Sequence, residues 1–147
     1  MKFFKSKQPK KTILFVCTEN AARSQMAEGF FRKYALEGFQ AISAGTKPVD
    51  ELNPMAVDAM REVGIDISHQ KSKDITEDMM RNSTKMVNMG CMDKESCPTL
   101  FLNNLVDWNI EDPKGKSVDK VREIRDEIER RVKELVSGLK ASQEINV

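Results

Sequence analysis

The feature that most constrains the fold is a short apolar run that ends at a cysteine and leads into an amphipathic segment. Residues 12–16 are rich in branched and aromatic side chains, which predicts a buried strand. The segment 24–36 spaces its apolar side chains as one face of a helix does. Cys17 lies between the two, at the start of a loop that leads to Arg23. The sequence therefore predicts a strand–loop–helix unit with a thiol above the first helical turn.

The rest of the chain alternates strands and helices in the same way. The expected elements are further strands at 40–44, 85–89 and 105–108, and further helices at 54–63, 76–81 and 118–139. Strands separated by helices of this length pair in parallel through right-handed crossovers. We therefore expect an α/β fold: a single three-layer domain with a four-stranded parallel sheet and helices on both faces. Ligands of such sheets bind beyond the carboxyl ends of the strands.

Capping signals mark two of the helices. Asn53 is expected to cap the second helix, Pro54 to be its first residue and Gly64 to end it. Ser117 precedes the last helix, and Gly138 stands near its expected end. The apolar stripe of that helix is expected to comprise Val118, Val121, Ile128, Val132, Leu135, Val136 and Leu139.

The chain length fits one domain with a short tail at each end. A chain of 147 residues is long enough to bury a core of its own. We expect residues 1–11, which are rich in lysine, to form a basic flexible tail. Residues 12–139 are then the folded domain, and residues 140–147 a frayed C-terminal tail.

Composition excludes several classes of protein. The charged fraction is 32%, yet the formal net charge is only +1, which argues against a nucleic-acid or membrane binder. No apolar run approaches the roughly 20 residues of a membrane span, and the start lacks a signal-peptide pattern. Three cysteines do not make a disulfide framework. We expect a cytoplasmic monomer in a reducing compartment, with no nucleic acid and no membrane as partner.

The loop at Cys17 has the residues of an oxyanion site that contains a nucleophile. A helix N-terminus and a guanidinium favour the thiolate form of a cysteine and bind a tetrahedral anion. The planar fork of Arg23 matches two oxygens of such an anion, and Asn20 tolerates the unusual backbone angles of a tight loop. Ser24 caps the helix, donates a hydrogen bond to the Cys17 sulfur, or does both. The alternative is that Cys17 is an ordinary buried thiol.

Two further cysteines, Cys91 and Cys97, lie in a loop between Gly90 and Pro98. They are two unrelated thiols, zinc ligands, or members of a redox relay. The chain has one histidine, His69, and no Cys-x2-Cys pair, so a zinc site ranks low. In a relay, a second thiolate attacks an oxidised or derivatised Cys17, and a third takes over the resulting disulfide.

An acidic turn after the fourth expected strand is the candidate proton donor. An oxygen that leaves a tetrahedral centre needs a proton, which a carboxylic acid at the edge of the sheet can supply. We favour Asp112 over Glu111 because Pro113 stiffens the backbone after it. The alternative is a plain turn, since Asp, Pro and Gly are turn formers.

Together these residues resemble the thioredoxin-coupled arsenate reductases of the low-molecular-weight protein tyrosine phosphatase superfamily. The resemblance covers about residues 12–139. It rests on the loop Cys17–Ser24 with Gln25-Met26-Ala27-Glu28, on Ser43-Ala44-Gly45, on Cys91 and Cys97-Pro98, and on Asp112-Pro113. The anion loop it implies comprises Thr18, Glu19, Asn20, Ala21, Ala22, Arg23 and Ser24.

The resemblance implies a three-step reduction of arsenate to arsenite without a cofactor. Cys17 attacks arsenate while Asp112 protonates the departing oxygen, and Arg23 with the loop N–H groups holds the adduct. Cys91 then attacks Cys17, and arsenite leaves with the two electrons. Cys97 attacks Cys91, and the resulting disulfide is reduced by thioredoxin or a glutaredoxin-like reductant.

Two positions depart from the family pattern. Glu19 stands where a small or uncharged residue is usual, and its carboxylate repels an oxyanion unless it points outward. Some family members bind potassium through an asparagine, a glutamate, a serine and an aspartate. Asn20, Glu28 and Ser43 match the first three, whereas Lys73 falls where the aspartate belongs. We expect its ammonium to replace the cation, so that the protein binds no metal and needs no potassium.

Two other functions compete with this interpretation. A low-molecular-weight phosphatase that hydrolyses phosphate monoesters through Cys17 needs Arg23 and Asp112 but not the other two cysteines. Such phosphatases tend to carry tyrosines after the Asp-Pro pair, whereas Lys114 follows here. A non-catalytic redox or oxyanion-sensing module needs the anion loop but no acid.

Overall fold

The computed structural model of the protein describes residues 9–90 and 104–145, with the side chains of 144 and 145 excepted. Within these ranges the elements follow the order expected from the sequence. They are β1 (Lys11–Cys17), α1 (Arg23–Lys33), β2 (Phe39–Gly45), α2 (Pro54–Glu62), α3 (Glu77–Arg81), β3 (Ser83–Asn88), β4 (Leu105–Asp107) and α4 (Val118–Ile145). No helix of these two ranges is both long and apolar enough to cross a membrane.

The strands form one four-stranded parallel sheet in the order β2-β1-β3-β4. The register pairs Cys17 with Gly45 of β2, and Val16 with Asn88 of β3. The carboxyl ends of these three strands therefore meet at one edge of the sheet, directly at the thiol. The expected α/β fold with a four-stranded parallel sheet is confirmed.

Helices cover both faces of the sheet, as expected, but unequally. Ile13 and Phe15 of β1 face a large core that is shared with α1, α2 and α4. Leu14 and Val16 face a smaller cluster, against which Met79 of α3 packs. Alternate residues of a strand point to opposite faces, so a continuous apolar run suits a strand that is buried on both.

The caps of α2 confirm the sequence interpretation and also tie this helix to the loop at Cys17. The Asn53 side chain accepts a hydrogen bond from the Met55 N–H at 2.9 Å, and Pro54 is the first helical residue. Gly64 follows the helix with a positive φ of 82°. The Asn53 N–H also donates to the Ala21 carbonyl at 2.9 Å. The start of α2 is thus held against the anion loop.

The last helix corrects two expectations. Gly138 does not end it, because α4 continues to Ile145. A single glycine inside a helix costs only about 1 kcal/mol, and Leu135 and Leu139 pack against the core on either side of it. Val118 does not belong to the apolar stripe, since it is the first residue of the helix and 52% exposed. The division into a domain at 12–139 and two tails stays a prediction.

Candidate active site

The loop between β1 and α1 wraps tightly over the edge of the sheet. Asn20 has φ 51°, in the left-handed region that few residue types tolerate, which confirms the unusual backbone angle expected for it in this loop. Gly45 of β2 makes the wrap possible. A Cβ at that position would lie 2.6 Å from the Thr18 carbonyl oxygen, so only glycine lets the loop approach this closely.

Two hydrogen-bond donors converge on the Cys17 sulfur, which is 2% exposed. The Asn20 N–H donates to it at 3.2 Å, and Ser24 Oγ lies 2.7 Å from it. The Asn20 side-chain amide donates to Ser24 Oγ at 2.7 Å. Ser24 Oγ thus accepts from Asn20, and when Cys17 is a thiolate, which has no hydrogen to give, Ser24 donates its own hydrogen to the sulfur. This arrangement stabilises negative charge on the sulfur and fits a nucleophile rather than an inert buried thiol.

The first turn of α1 lies directly behind this loop and keeps its donors free. Ala22 is at the N-cap position, and no side chain caps the helix. The Ser24 hydroxyl therefore serves the sulfur and not the helix end, which decides between the two roles expected for it. Uncapped N–H groups at a helix N-terminus form an anion site.

Arg23 is fixed in place by the segments that follow β3 and β4, on the other side of the site. Its Nη1 donates to the carbonyls of Met89 at 2.9 Å and Ile110 at 3.1 Å. Its Nη2 lies 3.7 Å from the Asp112 carboxylate. The guanidinium thus joins the anion loop to the segments that follow β3 and β4. Because its side chain is buried and anchored, it needs little reorganisation to bind an anion.

Of the two acidic residues in the turn after β4, the structure brings Asp112 to the site and not Glu111. The Asp112 side chain is 54% exposed and pairs with Arg23. Glu111 instead faces Lys116 and Lys120, with nitrogen–oxygen distances of 3.9 and 3.5 Å. The turn that was the alternative interpretation is present as well. Its Lys114 N–H donates to Asp112 Oδ1 at 3.0 Å and orients the carboxylate.

The Glu19 side chain reaches the turn of Asp112. Its Oε1 lies 2.7 Å from Lys114 Nζ. This hydrogen bond, and then the charge of Glu19, raise the pKa of Lys114 above its usual value. The acidic side chain in the anion loop therefore has a cationic partner. The cleft over Cys17 is lined by Cys17, Glu19, Ala21, Ala22, Arg23, Asn53, Asp112 and Lys114.

Sequence reasoning missed Lys114 and Asn53 as residues of this cleft. Asn53 was recognised only as a helix cap, and Lys114 only as a departure from the phosphatase pattern. The unusual charge of Glu19 was the signal for Lys114, because a half-buried carboxylate beside an anion site needs a cation. Nothing local in the sequence indicates which lysine supplies it.

The residues that match the potassium ligands are arranged differently from the expectation. Ser43 Oγ donates to Glu28 Oε1 at 3.1 Å, and Glu28 Oε2 pairs with Arg32 at 3.2 Å. Lys73 contacts Asn20 Oδ1 through its backbone N–H at 2.8 Å, while its Nζ donates to the Lys71 carbonyl. The expectation that the Lys73 ammonium replaces the cation is therefore wrong. Holding Asn20 through the backbone turns the Lys73 side chain outward, and the charge that faces Glu28 is that of Arg32.

Cys91 and Cys97 lie outside the residues that the structure describes. The described chain ends this stretch at Gly90, next to Met89, whose carbonyl accepts the hydrogen bond from Arg23. Gly90, the last described residue before these cysteines, therefore lies at the candidate site. Their relation to Cys17 stays a prediction. Within residues 9–90 and 104–145 no group of three potential metal-ligating side chains occurs.

The family model for low molecular weight phosphotyrosine protein phosphatases matches residues 12–145 of the chain. The chain belongs to this family. Among curated relatives, an arsenate reductase of Brevibacillus brevis is 42% identical over 125 residues, which cover 84% of this chain and 92% of the relative.

Two solved structures of the family share the fold. The YwlE arginine phosphatase from Geobacillus stearothermophilus superposes with a TM-score of 0.84 at 27% identity, over 93% of this chain and 97% of that one. The thioredoxin-dependent arsenate reductase of Corynebacterium glutamicum superposes with a TM-score of 0.79 at 33% identity. That match covers 92% of this chain and 65% of the other.

Proposed function

We propose that this family member reduces arsenate to arsenite, with Cys17 as the nucleophile. The observation that carries the proposal is the environment of the Cys17 sulfur at the base of an anion loop. The sulfur accepts a hydrogen bond from the Asn20 N–H and lies 2.7 Å from the Ser24 hydroxyl. The similarity to the arsenate reductase of Brevibacillus brevis favours arsenate over other tetrahedral anions.

In the first step, arsenate binds to the N–H groups of residues 18–24 and to Arg23. The Cys17 thiolate attacks arsenic, so that a sulfur–arsenic bond forms and an arsenic–oxygen bond breaks. Asp112 donates a proton to the departing oxygen, which leaves as water. The uncapped start of α1 and Arg23 stabilise the remaining negative charge on the arsenic oxygens.

In the second step, the Cys91 thiolate attacks the Cys17 sulfur. A disulfide forms, and the electron pair of the sulfur–arsenic bond stays on arsenic, which leaves as arsenite. Cys97 then attacks Cys91 and releases Cys17 as a thiolate. Three cysteines are the minimum that moves a disulfide away from the anion loop, and the chain has three.

The disulfide between Cys91 and Cys97 needs an external dithiol to reduce it. We propose thioredoxin or a glutaredoxin-like protein, since a similar arsenate reductase from Corynebacterium glutamicum is thioredoxin-dependent. Reduction of this kind takes place in a reducing compartment, so the proposal includes a cytoplasmic location. It also includes a monomer that works without a bound cofactor.

Hydrolysis of phosphate monoesters is a second activity that the site favours. Cys17, Arg23 and Asp112 line one cleft, and this reaction asks for nothing from the other two cysteines. Phosphate and arsenate are tetrahedral anions of similar charge, so the loop admits both. We propose a weak side activity. A purely non-catalytic sensor is disfavoured, because it has no use for an acid oriented beside Arg23.

A single-turnover experiment tests the proposal. Fully reduced protein is mixed with arsenate without any external reductant, and arsenite and free thiols are then measured. We expect one equivalent of arsenite and the loss of two thiols. Cys97→Ser keeps this single turnover, whereas Cys91→Ser and Cys17→Ser abolish it. If the native protein forms no arsenite, while native and Cys91→Ser proteins hydrolyse p-nitrophenyl phosphate equally, the protein is a phosphatase.

A further inference from the structure

The ion pair between Glu19 and Lys114 joins the two loops that bound the cleft over Cys17. Glu19 belongs to the β1–α1 loop and Lys114 to the turn after β4, and their charged atoms are 2.7 Å apart. Both side chains are partly exposed at the rim of the cleft, whereas Cys17 is buried at its base. The pair therefore lies between solvent and the nucleophile.

Lys114 also holds the candidate acid. Its backbone N–H donates to Asp112 Oδ1, and the other carboxylate oxygen of Asp112 faces Arg23. One residue thus contacts Glu19 through its side chain and Asp112 through its backbone. When the side chain is bound, the position of the Asp112 carboxylate relative to the anion loop is fixed from both sides.

The cleft is narrow while the pair is closed. Its volume is about 20 Å³, which is room for about one water molecule. Neither an aromatic ring nor a whole tetrahedral oxyanion fits into this space. An exposed ion pair is weak enough to open readily, so a substrate enters by parting Glu19 from Lys114.

Closure after entry depends on the size of the substrate. A free tetrahedral anion carries no group that extends through the mouth of the cleft, so Glu19 and Lys114 re-form their contact at the rim once the anion loop holds the anion. The organic group of a bound phosphate ester extends out through the mouth of the cleft, so it keeps Glu19 and Lys114 apart. The closed Glu19–Lys114 pair thus favours inorganic oxyanions over phosphate esters, and it also positions Asp112.

We propose that the Glu19–Lys114 pair is a clamp that closes over an inorganic oxyanion, positions Asp112, and selects against phosphate esters. The proposal rests on the proposed function for its substrate. In it, Lys114 is a positioning residue that acts through Asp112. It also gives the carboxylate of Glu19 a role in a loop where an unpaired one would repel the anion.

Three variants and a control test the clamp. Lys114→Met, Glu19→Gln and the double variant are compared with Lys116→Met, whose lysine pairs with Glu111 on the same turn and does not line the cleft. The readout is kcat/KM for arsenate divided by kcat/KM for p-nitrophenyl phosphate. We expect each single variant to lower this ratio by up to about fivefold. The double variant should lower it no further than either single one, and the control should keep it.

Salt provides a readout that a merely structural contact would not move. Ions screen an exposed pair, so the ratio of the native protein should fall with rising sodium chloride towards that of Lys114→Met. The ratio of Lys114→Met should not change. Equal ratios in native protein, Lys114→Met and Lys116→Met, or additive effects of the two single variants, would overturn the clamp.

Binding separates failure of the clamp from failure of the proposed function. Calorimetry with Cys17→Ser, with and without Lys114→Met, gives the dissociation constants for inorganic arsenate and phenylphosphonate, because this variant has no nucleophile and does not turn over. If the native protein binds arsenate but does not reduce it, the proposed reductase function is wrong. The clamp still stands if Lys114→Met loses the preference for the inorganic anion, and falls if the preference is unchanged.

Discussion

Ser24 Oγ lies 2.7 Å from the Cys17 sulfur, and both residues are buried beneath the anion loop. The hydroxyl is itself held by the side-chain amide of Asn20. The orientation of the donor towards the sulfur is therefore built into the loop before any substrate binds. Preorganised donors of this kind stabilise negative charge without a cost of reorganisation.

Replacing Ser24 tests this relationship. Ser24→Ala removes one donor from the sulfur, and a hydrogen bond to a charged group contributes about 1.5–3 kcal/mol. We expect the rate at which iodoacetamide alkylates Cys17 at pH 7 to fall at least roughly tenfold. Mass spectrometry of the peptide that contains Cys17 measures this rate. Unfolding temperatures of both proteins serve as the control for folding. A rate equal to that of the native protein would contradict the assigned hydrogen bond.

The two acidic residues of the turn after β4 provide a matched pair. Asp112→Asn removes the proton donor beside Arg23, while Glu111→Gln removes a carboxylate that faces Lys116 and Lys120. We expect Asp112→Asn to lower kcat for p-nitrophenyl phosphate by about 10²- to 10⁴-fold. Glu111→Gln should stay close to the native value. Equal effects of the two substitutions on kcat would contradict the assignment of Asp112 as the general acid.

Potassium should not activate the protein, although for a different reason than the sequence suggested. Arg32 supplies the positive charge beside Glu28, and the Lys73 ammonium lies elsewhere. Turnover in potassium chloride and in sodium chloride of equal ionic strength is therefore expected to agree.

Two substitutions separate the contributions of Arg32 and Lys73. Arg32→Met leaves the buried Glu28 carboxylate without its cation and should lower the free energy of unfolding by about 1–2 kcal/mol. Lys73→Met keeps the backbone contact to Asn20 and should change the free energy of unfolding little. Urea denaturation measures the free energy of unfolding of both variants. A larger loss for Lys73→Met would restore the original interpretation.

Stability should depend on pH through Glu62, which links α2 to α4. Hydrogen bonds and charge from Arg122, followed by those from Arg125, lower the pKa of Glu62 below its ordinary value of 4.5. A carboxylate with a lowered pKa in the folded state stabilises the fold at pH values above its unfolded pKa. That contribution is lost as the pH falls through the folded pKa.

The test compares Glu62→Gln with the native protein at two pH values. At pH 7 the variant should unfold at a lower temperature, because Arg122 and Arg125 lose their partner. At acid pH the difference between the two unfolding temperatures should shrink, since the native carboxyl becomes protonated as the pH falls through its lowered pKa. A difference that is the same at both pH values would show that charge contributes nothing at this position.

The parts of the fold that sequence reasoning predicts are those with local signals. The apolar run before Cys17, the spacing of apolar residues in α1, and the Asn53-Pro54…Gly64 signals each depend on a few neighbouring residues. The end of α4 depends instead on packing at Leu135 and Leu139, which outweighs the helix-breaking tendency of Gly138.

The parts of the site that the sequence does not predict are contacts between distant segments. Glu19 and Lys114 are 95 positions apart and meet only because the carboxyl ends of β1 and β4 lie at the same edge. The direction of the Lys73 side chain follows from a backbone contact to Asn20 across 53 positions. Charge and spacing indicate that Glu19 needs a partner, but only the fold selects it.

Steady-state turnover with the complete reducing system tests the central claim most directly. The protein is combined with thioredoxin, thioredoxin reductase, NADPH and arsenate, and the loss of NADPH is followed for the native chain and for Cys91→Ser. The account predicts arsenate-dependent NADPH consumption by the native protein and none by the variant. Arsenate-dependent consumption that persists in Cys91→Ser, or its absence in the native protein, would contradict the role of Cys17 as the first thiol of a relay.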